Sequence, residues 1–265
     1  MSMHKWDPSD YQKSSSAQYN WAMALIAGLK LEGDESILDI GCGDGRITAH
    51  LASLVPNGSV LGTDLSPEMI RFAAGKYLPK DYPNLSFRVG DASQLHFAEK
   101  FDLVVSFACL HWVKDQLPVL KGVRQSLKPY GCFLMQCGGR GNAARLLDLT
   151  GELAASPPWK EYFSDFSFPY HFYGPEEYRV WLAEAGLHSR RVELIPKEMI
   201  HQGQAGLEGI IRNTWLPYLE RLPVHLRDKF VKEIAGRYLE RYPLDEKGQT
   251  HVQMMRLEVE AEKPR

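Results

Sequence analysis

Ile37-Leu38-Asp39-Ile40-Gly41-Cys42-Gly43-Asp44-Gly45 is a short apolar run that breaks into alternating glycines just before a helical pattern opens at Arg46. The three glycines remove the Cβ atoms that would hold a ligand away from the backbone. A strand, a loop of this kind and a helix together bind a nucleotide-like ligand at the carboxyl edge of a parallel sheet. The dinucleotide fingerprint has its third glycine one position later, where this chain carries Arg46. The loop is therefore related to that fingerprint but does not match it.

Outward from the loop, apolar strands and amphipathic helices alternate. Ser36–Ile40 reads as the first strand and Arg46–Leu54 as the helix after it. Val60–Asp64 is a second strand, after which Ser66 and Pro67 supply an N-cap and a first helical residue. Leu85–Val89 alternates as a third strand. Phe101–Phe107 is nearly all apolar, as expected of a central parallel strand covered on both faces. Leu117–Leu127 reads as a helix stopped by Lys128-Pro129-Tyr130-Gly131, and Cys132–Gln136 as the fifth strand. Upstream, Ser14-Ser15-Ser16 offers an N-cap for a helix over Ala17–Leu29 with Trp21, Leu25, Ile26 and Leu29 as its apolar stripe. Downstream the pattern predicts helices at Ala143–Ala154 and Glu176–Ala185, a strand at His188–Ile195, helices within about Gly206–Tyr242, and a last strand at Val252–Val259. Five strand–helix alternations describe an open, doubly wound α/β sheet. The late helices read as a cap built onto it, within the same domain.

Asp39, Asp64 and Asp91 each fall at or just beyond a predicted strand end, so a parallel sheet brings them to one edge. Asp64 suits two ribose hydroxyls, because one carboxylate can accept both hydrogen bonds. Asp91 and the N–H of Ala92 can read an adenine edge. A phosphate would want donors and positive charge, whereas this loop carries Asp44 and follows Asp39. The ligand suited to it is an adenosine with a cationic, phosphate-free tail.

Composition narrows the rest. The chain has 265 residues, 44% of them hydrophobic, enough for one large domain or one domain with a sizeable insertion. With 31 basic against 33 acidic side chains the net charge of −2 gives no global field for nucleic acid or anionic lipid. No pair among Cys42, Cys109, Cys132 and Cys137 has metal-knuckle or redox spacing, so buried free thiols in a reducing cytoplasm and no metal are expected. No apolar leader and no run of about 18 apolar residues is present, so neither targeting nor a membrane span is expected.

The ordered set Asp39-Ile40-Gly41-Cys42-Gly43-Asp44-Gly45, Asp64 and Gly90-Asp91-Ala92 resembles the motifs of the class I S-adenosylmethionine-dependent methyltransferases over about Ser36–Gln136. Tyr11-Gln12-Lys13-Ser14-Ser15-Ser16-Ala17-Gln18, Gly62-Thr63-Asp64-Leu65-Ser66-Pro67-Glu68-Met69, Leu110-His111-Trp112-Val113 and the late insertion narrow this. They are similar to the trans-aconitate and juvenile hormone acid methyltransferases, which methylate carboxylates. The resemblance implies a Rossmann-like, mainly parallel seven-stranded sheet with an antiparallel last strand and a helical cap. It divides the chain into a flap and helix over 1–30, a cofactor-binding core over 31–140, and the rest of the sheet with its cap over 141–265. It implies S-adenosylmethionine as cofactor, S-adenosylhomocysteine as product and a small carboxylic acid as substrate. The candidate cofactor contacts are Tyr11, Gln18, Asp39, Gly41, Cys42, Gly43, Asp64, Leu65, Asp91, Ala92 and Phe107. Gln18 and Trp112 are expected to position the substrate carboxylate, with Arg140, Tyr173, Arg212 and Trp215 as further substrate candidates from cap-forming segments.

Each assignment has a bland counterpart. Asp39 can simply brace the glycine loop, Trp112 can be core, and His111 can be a structural histidine or a base. Arg140, His171, Tyr173, Arg212, Trp215, Tyr218 and Arg221 can be ordinary surface or packing residues. A carboxylate acceptor is ionised near neutral pH and needs no general base, so an absent catalytic dyad is expected. Methyl transfer to carbon, nitrogen or a phenolic oxygen, with His111 as base, is the alternative. A non-catalytic adenosine-ligand sensor is a third reading, and both monomer and homodimer are compatible with the chain.

Overall fold

A chain that alternates buried apolar strands with amphipathic helices can cover both faces of a parallel sheet, and the protein does this. The computed structural model describes residues 16–265. The expected flap before Ser16, with Tyr11 in it, lies outside the described residues. In chain order the elements are α1 (Ser16–Ile26), β1 (Ser36–Ile40), α2 (Arg46–Leu54), β2 (Ser59–Asp64), α3 (Pro67–Lys76), β3 (Leu85–Val89) and β4 (Phe101–Phe107). They continue with α4 (Gln116–Ser126), β5 (Leu127–Gly138), α5 (Ala144–Ala154), α6 (Pro175–Ala185), β6 (His188–Gln202), α7 (Gly203–Thr214), α8 (Leu216–Leu219), α9 (Val224–Arg241) and β7 (Gln249–Glu262).

The seven strands are ordered β3-β2-β1-β4-β5-β7-β6. β1 pairs in parallel with β2 and with β4, and β5 pairs antiparallel with β7. The order reverses between β1 and β4, which leaves a crevice beyond their carboxyl ends. Two apolar layers sandwich the sheet. Ile37, Leu51, Val60, Leu103, Val105 and Leu134 pack on one face with α1 and α2, and Leu38, Val104, Leu120, Val123, Phe133 and Tyr178 on the other. Each such side chain contributes about 1.5–3 kcal/mol on burial, so the central strands are held in register by hydrophobic free energy on both sides.

Local chemistry sets the ends. The Ser66 hydroxyl accepts a hydrogen bond from the Met69 N–H at 3.2 Å and Pro67 follows it, which starts α3. Gly186, at φ +76°, terminates α6. β5 begins earlier than its apolar run indicates. Leu127 pairs with Phe101, and Cys132 with Leu103, so a bulge absorbs Lys128–Gly131. A proline without an N–H and a left-handed Tyr130 (φ +64°) are tolerated there because a bulge frees them from the ladder. β6 and β7 also extend beyond their expected ends. Pro196 and the polar residues after it hide the continuation of β6 from a hydrophobicity pattern.

The chain divides into two compact units. One comprises residues 5–140, 170–195 and 256–265, of which those from 16 onward are described here; the other includes 141–169 and 196–255. In the second unit α9 packs on α5 and α7. Trp159, Leu207, Ile211, Trp215, Phe230, Ile234 and Tyr238 are buried there. No helix among the described residues is long and apolar enough to cross a membrane.

Candidate active site

The crevice beyond β1 and β4 is built mainly from backbone. At the end of β1, the carbonyls of Asp39 and Ile40 accept hydrogen bonds from the Thr63 and Ser106 hydroxyls of the two flanking strands, at 3.3 and 2.8 Å. The chain then turns sharply, because the N–H groups of Gly41 and Cys42 both donate to the Thr63 carbonyl, at 2.7 and 2.9 Å. Gly41 adopts φ +76°, and a Cβ on it would stand 2.2 Å from Cys109 Sγ. Only glycine fits there. Opposite, the first residue after β4 is Ala108 at φ +55°, a left-handed conformation that is uncommon for a residue with a side chain and that tends to mark functional sites. Gln18, Tyr19, Gly41, Cys42, Gly43, Asp44, Arg46, Ile47, Phe107 and Ala108 line the cleft between these two turns.

The acidic groups occupy the strand ends. Asp64 Oδ2 accepts from the Gly43 N–H and Oδ1 from the Ser66 N–H, both at 2.9 Å. Its carboxylate is thus fixed in orientation, and each oxygen keeps a second lone pair. Burial pushes its pKa upward against the opposing pull of those two N–H groups. Asp39 is buried and accepts from Thr48 Oγ1 at 2.7 Å. Burial, with added repulsion from Asp64 and Asp44, raises its carboxyl to about 7. Asp91 Oδ1 accepts from the N–H and the hydroxyl of Ser93, at 2.8 and 2.7 Å. Ala92 is half-buried beside it, and Leu65 is 52% exposed. The Cys42 and Cys109 thiols are driven up by burial and by the neighbouring carboxylates, which keeps both protonated and non-nucleophilic at neutral pH.

Gln18 reaches this cleft from α1 with Oε1 buried and satisfied by none of the described groups. A buried polar atom left in that state is reserved for a ligand or costs stability for nothing. Trp112 closes a short 3₁₀ turn over Leu110–Trp112. The Tyr170 ring meets it edge-on at 4.3 Å and meets His111 at 5.2 Å. His111 Nδ1 accepts from the Gly138 N–H at 3.4 Å, which puts the ring proton on Nε2. Burial and the nearby Arg256 charge push its pKa down to about 3.

The other substrate candidates sit in networks of their own. Arg140 is paired with Glu176 and Glu177, and Tyr173 donates its hydroxyl to the Lys114 carbonyl at 2.6 Å. In the second unit Arg212 is held by Glu208 at 3.0 Å and Asp228 at 2.6 Å, while buried Trp215 donates Nε1–H to Thr150 Oγ1 at 3.0 Å. Among the described candidates, Gln18, Gly41, Cys42, Gly43 and Phe107 line the one cleft, with Asp64 hydrogen-bonded to its wall. Sequence reasoning missed Tyr19, Asp44, Arg46, Ile47 and Ala108 as lining residues. Tyr19 and Arg46 stack with the guanidinium carbon 4.0 Å from the ring centroid. Arg46 was visible as the first residue after the loop, and only its departure from the dinucleotide pattern drew attention.

A doubly wound sheet with an acidic cleft at its switch point is a site for a nucleoside bearing positive charge. The comparisons with known proteins narrow this. Residues 37–131 match the model of a methyltransferase domain family. The trans-aconitate 2-methyltransferase of Streptomyces avermitilis is 30% identical over 248 residues, covering 92% of this chain and 91% of that protein. The juvenile hormone acid O-methyltransferase of Drosophila melanogaster is 27% identical over 215 residues, covering 76% of this chain and 70% of that one. In fold, the chain resembles the Haemonchus contortus phosphoethanolamine N-methyltransferase 2 solved with S-adenosyl-L-methionine. The TM-score is 0.60 and the identity 20%, with 97% of this chain and 57% of that one covered. The chain belongs to the S-adenosylmethionine-dependent methyltransferases.

The residues present fit that cofactor. Asp64 has lone pairs for two vicinal hydroxyls, the glycine loop has no Cβ at its tightest turn, and Gln18 Oε1 is buried and open to a donor. Asp39, Asp44 and Asp64 together make surroundings that favour a sulfonium and an ammonium over a phosphate.

Proposed function

We propose that the protein methylates the carboxylate of a small organic or fatty-type acid, by in-line displacement and without a general base. The observation that carries this reading is the state of His111. Its imidazole, beside the candidate positioning residue Trp112, is held down to about 3 by burial and by Arg256, and so has little basicity to offer an alcohol, phenol or ammonium acceptor. An acceptor that arrives already ionised needs none.

When bound, S-adenosylmethionine supplies a methyl group made electrophilic by its sulfonium. A carboxylate oxygen would take that methyl as the S–C bond broke, leaving the electron pair on sulfur and no proton for this chain's residues to move. What this chain adds is alignment and a dry site. Asp64 and Asp91 would hold the nucleoside, while Gln18 and Trp112 would orient the carboxylate. The Gln18 carboxamide can present either its oxygen or, by rotation, its NH2 donor to that group. Names among the relatives agree in class: trans-aconitate and juvenile hormone acid are both carboxylic acids.

Methyl transfer to a panel of mono- and polycarboxylic acids, followed by alkaline hydrolysis of the product, tests the reading. Alkali-labile methyl esters are expected, with no inflection between about pH 6 and 7 in the chemical step. Alkali-stable products, or cofactor binding without turnover of any acid, overturn it.

A further inference from the structure

S-Adenosylmethionine carries one positive charge more than S-adenosylhomocysteine, so each turnover changes the charge held in the cleft. Behind the cleft wall stands a group able to respond. Asp39, at the end of β1 just before the glycine loop, is 2% exposed. Its carboxylate accepts from Thr48 Oγ1 of α2 at 2.7 Å. Among the described residues, the charges that act on it are both negative: Asp64 from the end of β2 and Asp44 from the loop. The Cys42 thiol of the loop and the Cys109 thiol beyond β4 lie within its field. α2 also carries His50, and Arg46 stacked on Tyr19 of α1. Asp39 itself does not line the cleft, but Cys42 and Asp44 do. A ligand seated there therefore meets the Asp39 charge through space, as Cys42 does, and without touching it. Gln18 Oε1, buried and open to a donor, borders the same cleft.

We infer that Asp39 holds a proton in the cofactor-free protein and gives it up when the cationic donor binds, so that the cleft favours S-adenosylmethionine over S-adenosylhomocysteine increasingly as pH rises. Three carboxylates gathered around one tight turn repel one another, and burial adds to this, holding the Asp39 carboxyl up to about 7 without ligand. A positive charge brought into the cleft favours the ionised form. By linkage, the ionised form binds that charge more tightly in return. Once the methyl group has left, the extra charge is gone. Asp39 then takes a proton back from solvent and its hold on the ligand ends, which favours release of the product. The proton lost on binding is regained after transfer, so the balance of the methylation itself is unchanged. The device serves the cofactor and works with any acceptor.

Isothermal titration of the full-length protein with S-adenosylmethionine and with S-adenosylhomocysteine, repeated in buffers of differing ionisation enthalpy, counts the protons exchanged on binding. At about pH 6 the amino groups of both ligands stay protonated and add nothing to the count. Donor binding is expected to release about half a proton or more there, and product binding distinctly less. The ratio of donor to product affinity should rise about three- to tenfold between about pH 5.5 and 7. Asp39→Asn keeps an acceptor for Thr48 and should abolish both differences. Thr48→Val keeps Asp39 but removes the hydroxyl that favours its ionised form, and should move the pH of largest release upward. Equal proton release by donor and product in wild type overturns the inference, a result that needs no variant to fold. So does a difference that persists in Asp39→Asn, or a pH of release that Thr48→Val leaves in place. No acceptor enters the measurement, so its outcome is independent of the carboxylate reading.

Discussion

The glycine-loop cleft and the helical unit formed by residues 141–169 and 196–255 use charge in opposite ways. Around the cleft, carboxylates are buried or half-buried and gripped by backbone N–H groups or a hydroxyl, as with Asp64 on Gly43 and Ser66 and Asp39 on Thr48. In the helical unit, charged side chains satisfy one another near the surface, as with Arg212 and Asp228, Arg237 and Glu233, or Arg241 and Glu152. Backbone-held Asp64 keeps lone pairs in reserve, and burial raises its pKa. Paired surface ions keep nothing in reserve and cost little. The difference separates a region whose acids retain acceptor capacity from one whose ions are matched to one another.

That contrast can be broken at the loop itself. Gly41→Ala places a Cβ against Cys109 at a left-handed φ. It is expected to destabilise the protein by about 2–4 kcal/mol in denaturant unfolding, through strain and overpacking together. A neutral result would mean that the tight turn is not required. Asp64→Ala removes a fixed, partly buried acceptor pair. S-adenosylmethionine affinity should fall by about ten- to a hundredfold, the loss of one or two hydrogen bonds to a charged group, and titration showing unchanged affinity would remove Asp64 from the site.

Asp39 sharpens the comparison through pH. The unfolded chain ionises this carboxyl near its ordinary value of 3.8, while burial holds the folded one up to about 7. Between those values the folded state binds more protons, so the Asp39 contribution makes stability fall as pH rises across that window. Melting curves of the cofactor-free protein should show this slope, and Asp39→Asn should flatten it. The smallest effect belongs to the helical unit. Arg212→Ala should cost less than about 1 kcal/mol, as expected of an exposed ion pair, and leave cofactor affinity unchanged. A large affinity loss would end the division drawn between the two regions.

Part of the candidate cleft was legible in the chain, because markers such as Gly41, Cys42 and Gly43 are local. The glycine loop, the carboxylates at strand ends and the Ser66-Pro67 cap depend on neighbours within a few residues, and the strands from β1 to β4 follow their apolar runs to within a residue. The bulge that extends β5 through Pro129 was hidden, because pairing with Phe101 and Leu103 decides it. Ala108 at positive φ and the Arg46–Tyr19 stack were equally hidden, since each depends on a partner brought near by folding.

By itself the sequence determined the doubly wound order of elements, the glycine loop and the placing of acids at the strand ends, because hydrophobic periodicity and backbone freedom are written residue by residue. Only the tertiary structure decided which distant side chains meet. Arg256 shows why. It stands 210 positions after Arg46 and carries no local motif. Antiparallel pairing of β7 with β5 puts its guanidinium beside Trp21, near His111, and long-range strand register is not encoded in any short stretch of chain.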